Sequence, residues 1–146
     1  MKKTGINIFS GAKDWLGAAL TNPTGLAVQK GMLPKGYPVL FAGKRYPDTE
    51  TAYHALAGAD PVQRDTLMAE LICAKLMQHP ALLSEVLARG GREFLAACSH
   101  WTGAKSAGAQ AWEGDGEDSR FIRNLLRGFD LQQAGCVTEE GQHGLF

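Results

Sequence analysis

The densest chemistry in the chain lies between Trp112 and Asp118, where one aromatic ring stands beside four carboxylates and two glycines. Carboxylates in such a run can stabilise positive charge or take a proton from water, and an indole beside them suits stacking against a flat ring. The same residues also suit a solvated acidic turn with Trp112 anchored in the core, and residue types alone do not choose between these. Glu50 is a second candidate, standing in the first turn of a helical pattern, where the helix dipole favours a carboxylate for purely structural reasons. Cys98-Ser99-His100 offers two metal ligands, but no second pair follows at a usual spacing, so no metal is expected.

These groups need elements to hold them. Phe121, Ile122, Leu125 and Leu126 recur at helical period, with Arg120, Arg123, Asn124 and Arg127 on the other side. Asp118 or Ser119 suits the N-cap of that helix, and Gly128 is the expected stop. Upstream, alternation over Ile6–Ser10 predicts a short strand ended by Gly11. Residues 12–24, with Lys13, Asp14, Trp15, Thr21 and Asn22, read as a functional loop or as a surface connection pinned by Trp15. Residues 37–46 read as a hairpin turning at Ala42-Gly43, with Pro38 marking an edge.

Asp48 or Thr49 can then cap the helix that carries Glu50, with Ala52, Tyr53 and Leu56 facing inward and Gly58 closing it. Asp60-Pro61-Val62-Gln63 has the form of a helix start. Leu67, Met68, Leu71, Ile72 and Leu76 continue it as a core stripe to about Gln78. A further helix starts at His79-Pro80, with Leu82, Leu83, Val86 and Leu87 on its inner face until Gly90-Gly91. Period does not decide the type of Phe94–Cys98, and residues 101–110 form a connection.

A chain of 146 residues fits one domain, placed at 1–130, with a polar, glycine-rich tail at 131–146 expected to be flexible or loosely docked. Fifteen basic residues balance fifteen acidic ones, so there is no global positive field for generic duplex DNA. No apolar run is long enough to span a bilayer, and Met1–Gly5 leads into too short an apolar stretch for a signal peptide. A cytoplasmic location is expected. Cys73, Cys98 and Cys136 are odd in number and widely spaced, which predicts reduced thiols.

Three blocks in order resemble the NADAR superfamily of compact, α-rich N-glycosidases linked to NAD, ADP-ribose and ribosylated bases. The first is Ile6–Ser10 followed by Gly17 and Thr21-Asn22. The second runs from Lys44 to Ala55 and carries Tyr46-Pro47, Glu50 and Tyr53. The third is Lys75–Pro80 with Leu82 and Leu83, followed by the loop from Trp112 to Gly116 and the helix after it. The chain departs from the family pattern at Ser119, commonly Asn, at Tyr46, usually Trp, and in a shorter stretch after His54.

The resemblance implies a mainly α (α+β) NADAR-like single domain with several helices, a few short strands and no cofactor. It implies hydrolysis of the N-glycosidic bond in a nucleotide-like N-riboside, of the ADP-ribosylated guanine or ribosylamino-pyrimidine phosphate type. Glu50 would stabilise charge or activate water, and Asp115 or Glu113 would assist with water or ribose hydroxyls. Trp112 would stack on the base, Asn22 would bond the ribose or base edge, and Arg120, Lys13 and Arg45 would meet phosphates, with Ser119 beside them. The alternatives are a non-catalytic module that binds ADP-ribose or a nucleotide, and a structural partner protein with a merely acidic surface loop.

Overall fold

Asp60 and Pro61 start the longest helix among the described residues: the Asp60 carboxylate accepts from the backbone N–H groups of Val62 and Gln63, and Pro61 takes the first position, where no N–H is needed. The computed structural model describes residues 4–135, and among these the elements follow in order. Helices α1 (Trp15–Leu20) and α2 (Thr24–Gln29) precede a hairpin of β1 (Val39–Phe41) and β2 (Lys44–Tyr46). Helices α3 (Thr49–Leu56), α4 (Pro61–Gln78), α5 (Pro80–Ala88) and α6 (Arg92–Ala96) come next. The ribbon strand β3 (Ser99–His100), the short α7 (Ala107–Gln110) and β4 (Gly114–Asp115) lead through a 3₁₀ turn at Gly116–Asp118 into α8 (Arg120–Gln133). This is a mainly α single domain. No helix of the described residues is long and apolar enough to cross a membrane.

The core forms where α4 lies against α8, the most extensive helix pair among the described residues. Leu67, Met68, Leu71, Ile72 and Leu76 of α4 are buried with Phe121, Ile122, Leu125, Leu126 and Phe129 of α8, as the apolar periods of both segments require. Gly128 does not end α8, as expected, but lies inside it. A β-carbon there would stand 2.7 Å from Ile72 Cγ2 and 2.8 Å from Ala69 O, so the glycine lets the two helices approach. The helix therefore runs past residue 130. The rest of the expected tail, from Cys136 onward, lies outside the described residues.

The hairpin forms as its pattern predicts, with Val39 opposite Tyr46 and Phe41 opposite Lys44. Ala42 and Gly43 both take positive φ, at 51° and 79°, the conformation a two-residue turn between twisted strands requires. Ile6–Ser10 forms less than a strand: one bridge joins Asn7 to Ser99, flanked by Ile8 N–H to Ser99 O at 2.8 Å and Ser99 N–H to Ile6 O at 2.9 Å.

The expected loop at 12–24 is largely helical. Asp14 caps α1 by accepting from Leu16 N–H at 3.0 Å, and Arg89 of the helix-end after α5 grips the same carboxylate through two bonds of 2.7 and 3.0 Å. Leu16, Gly17, Ala18, Ala19 and Leu20 are all buried, so packing overrides the turn-forming composition, while Trp15 remains 40% exposed. On α5, Leu82 and Val86 are buried but Leu87, expected inside, is 47% exposed.

Candidate active site

Helices α2 and α3 each turn one face to a common cleft of about 550 Å³. From α2 and its flanks come Pro23, Leu26 and Lys30, at helical spacing, and from α3 come Glu50, Tyr53 and His54. Asn22, Ser10 and Met68 close the inner side, and Trp112, His100 and α7 form the opposite wall.

Glu50 is held by the way α3 begins. Asp48, buried, is the N-cap: one oxygen accepts from the Thr51 N–H at 2.8 Å and hydroxyl at 2.7 Å, and the other from Gly25 N–H at 3.0 Å. One carboxylate thus ties α2 to α3. The Glu50 N–H donates to Asn22 O at 3.3 Å, and the Thr49 hydroxyl donates to Asn22, whose side-chain oxygen lies 3.1 Å away. Asn22 Nδ2 also donates to Met68 Sδ at 3.3 Å. The amide is therefore oriented before any ligand arrives.

Beneath this junction lies Lys75, only 2% exposed, whose ammonium donates to Thr21 O at 2.8 Å. Burial pushes its pKa down to about 7, against the opposing influence of Asp48. The sequence carried one signal for it: Lys75 falls seven residues after Met68 and four after Leu71, on the core stripe of α4.

The Glu50 side chain faces His54 one turn on, with Oε2 2.7 Å from Nε2. His54 is 68% exposed and links the carboxylate to solvent. His100 is fixed differently. Its Nδ1–H donates to Ile8 O at 2.7 Å, its ring lies 4.6 Å from that of Phe121, and burial holds its pKa below the ordinary histidine value. A neutral imidazole with Nε2 left as an acceptor results.

Trp112 is braced from several directions. Tyr53 meets it edge to face at 5.7 Å, and the Arg120 guanidinium carbon lies 4.1 Å from its ring centroid. Its carbonyl accepts from the Ser119 hydroxyl at 2.7 Å and the Phe121 N–H at 3.2 Å. Ser119, fully buried, also caps α8 by accepting from Ile122 N–H at 3.1 Å.

Of the residues expected to form a site, Asn22, Glu50 and Trp112 line the cleft, brought together across 90 positions of chain. The others stand outside its lining. Ser119 spends its hydroxyl on Trp112 and the α8 cap. Arg120 donates to Asp65 at 2.7 Å behind Trp112, where Asn124 also donates to Asp65 at 3.0 Å. Burial raises the Asp65 pKa, and these hydrogen bonds with the arginine charges outweigh it and hold the carboxyl below its usual value. Asn124 is accordingly buried, not on the outer face as its helical position predicts.

Asp115 accepts from Trp101 Nε1 and from the Ser99 hydroxyl, both at 2.8 Å, and these bonds lower its pKa. Glu113 accepts from the Thr102 N–H at 2.6 Å and hydroxyl at 2.5 Å, with the same effect. Both carboxylates clasp the two ends of the segment that carries α7. Lys13 is exposed at the start of α1, and Arg45 lies on β2 beside a separate groove with Lys35 and His79. The sequence pattern did not mark His54, Lys30 or Ser10 as site residues, and His100 stood out only as a metal ligand beside Cys98. The one available signal was the spacing of four between Glu50 and His54.

Comparison with protein-family models, with curated proteins and with solved structures finds no match. Function is therefore argued from the cleft itself.

Proposed function

We propose that the protein is an N-glycosidase that hydrolyses the C1′–N bond of a nucleotide-like N-riboside, and that it belongs with the NADAR superfamily its motifs resemble. One observation carries the reading: Glu50, the only carboxylate lining the cleft among the described residues, shares it with the aromatic pair Trp112 and Tyr53 and with the preoriented Asn22 amide. Breaking C1′–N leaves the bonding electron pair on the base nitrogen and positive charge spread over C1′ and the ring oxygen. A carboxylate beside that charge stabilises it, and can take the proton of the water that adds to C1′. One water is consumed; the base leaves with an N–H and the ribose gains a C1′ hydroxyl. His54, in contact with Glu50 and with solvent, is the route by which the proton is exchanged.

A ribosylamino-pyrimidine phosphate and an ADP-ribosylated guanine both carry the required bond. Glu50→Gln keeps the shape of the side chain and removes its charge. It is expected to lower base release, followed by chromatography, by about a thousandfold while the thermal midpoint stays nearly unchanged. Retained turnover removes Glu50 from the chemistry.

A second reading, a non-catalytic nucleotide-binding module, is favoured by the absence of a second carboxylate from the described cleft lining. Ligand binding by calorimetry without any base release selects it.

A further inference from the structure

We infer that residues 103–111, with α7 at their centre, form a lid that closes over a ligand held in the cleft, a proposal that rests on the preceding reading only for the nucleotide-like nature of that ligand. The way this segment is attached carries it. Its base is clamped: Asn7 Nδ2 donates to Trp101 O at 3.0 Å, the Trp101 N–H donates to Asn7 Oδ1 at 2.8 Å, and Thr102 donates to Glu113 through its N–H and its hydroxyl.

Beyond that base, every hydrogen bond that residues 103–111 make among the described residues ends within 102–113. The Ala104 N–H donates to the Thr102 hydroxyl at 3.1 Å, and Gln110 Nε2 donates to Ala104 O at 2.9 Å. The Ser106 hydroxyl caps α7 by accepting from the Ala109 N–H at 3.2 Å. A loop whose ends meet and whose bonds are its own is a compact body, able to turn about its base without breaking them.

No buried contact fixes it where it stands. None of residues 103–111 is buried, Ala104 alone is half-buried, and a β-carbon at Gly103 or Gly108 would meet nothing within 4 Å. A segment without buried apolar contacts opens at little cost. Gly103, at a φ of 75°, forms the turn by which the chain leaves the clamp, a conformation that suits glycine.

The segment nevertheless fronts the cleft. Thr102, Ser106, Gly108 and Ala109 line it and are all exposed, so they stand at its rim, whereas Ser10, Asn22 and Met68 are buried at its inner side. Because the Ser106 oxygen accepts within α7, its O–H is left to donate to a ligand. Gly108 and Ala109 present too little side chain to obstruct a close approach. The Trp112 N–H donates to Ala109 O at 3.1 Å, which ties α7 to the ring beside it. Closed, such a lid excludes water from the ligand and delays its escape.

The test compares the intact protein with a shortened variant in which residues 104–110 give way to two glycines, a bridge that the paired ends at Thr102 and Glu113 allow. ADP-ribose is the probe, followed by stopped-flow tryptophan fluorescence. The variant is expected to keep its thermal midpoint and to release ADP-ribose at least about tenfold faster, with association little changed. In the intact protein, bound ADP-ribose should slow amide hydrogen exchange at 103–111 by about tenfold. Unchanged release from the shortened variant, a collapsed midpoint, or binding that leaves exchange at 103–111 untouched overturns the inference. If ADP-ribose does not bind the intact protein, the nucleotide reading is what fails, and the lid is judged in the free protein. Amides of 103–111 that exchange together, at least about a hundredfold faster than those of α3, then uphold it, and amides as protected as those of α3 overturn it.

Discussion

The two walls of the cleft are built by opposite means. On the side of Asn22 and Glu50, the groups that hold the site are buried: Asp48 joins α2 to α3, Thr49 orients Asn22, and Lys75 fastens Thr21 from below. On the side of Trp112, the segment from Trp101 to Glu113 carries the four-residue α7, which buries nothing, and its ends are clasped by the half-buried Glu113 and the exposed Asp115. Carboxylates look alike in a sequence, yet here their cost and use differ with burial. Glu113 and Asp115 of the acidic loop are spent on neighbouring hydroxyl, indole and backbone donors, while Glu50 is left facing the open cleft beside His54.

The largest effect expected from this contrast is the loss of turnover in Glu50→Gln, set against Asp115→Asn and Glu113→Gln in the opposite wall. The next concerns Lys75. Its folded pKa of about 7 lies below the ordinary lysine value of 10.5, so between them the unfolded chain binds more protons than the folded one. Stability therefore rises with pH across that window and is lowest below it. Cys98, whose thiol burial pushes up to about 11, works in the opposite direction above pH 9. Thermal or urea unfolding should show a gain of about 2 kcal/mol between pH 7 and 9 that Lys75→Met abolishes. A flat profile in the native protein would show that the buried latch is not held at this cost.

Gly128 tests the joint that carries both walls. Alanine is the better helix former by about 1 kcal/mol. The contact of a new β-carbon with Ile72 and Ala69 reverses the sign, and Gly128→Ala should destabilise by about 1–3 kcal/mol in denaturant unfolding. A stabilised variant would mean that α4 and α8 separate easily. Smallest of all, Asp115→Asn and Glu113→Gln should change base release by no more than about threefold, since exposed hydrogen bonds of this kind contribute little. A loss as large as that in Glu50→Gln would erase the distinction between the walls and return the loop to the chemistry.

Much of the scaffold was legible in the chain because its signals are local. Asp60-Pro61, Asp48 before Thr49, and the apolar periods of α4 and α8 each depend on residues within a turn or two, and the helices form where these place them. The hairpin at Ala42-Gly43 is legible for the same reason. The errors fall where a distant partner decides. Residues 12–24 became helical because their apolar side chains pack inward and Arg89 grips Asp14, and Gly128 continues a helix because Ile72 and Ala69 lie against it.

The site divides along the same line. By itself the sequence determined that Glu50 would stand at a helix start, that Trp112 would precede another, and that Asn22 would lie in the N-terminal segment. Only the tertiary structure decided that these three share a cleft with Lys30, Ser10 and His54, that Asp115, Glu113 and Ser119 are occupied elsewhere, and that Arg120 turns its Nε to Asp65 and leaves Nη2 buried without a partner among the described residues. The physical reason is that helix formation is read from neighbours in the chain. Whether a carboxylate or an arginine remains free for a ligand depends on which donors and acceptors the fold brings within about 3 Å of it.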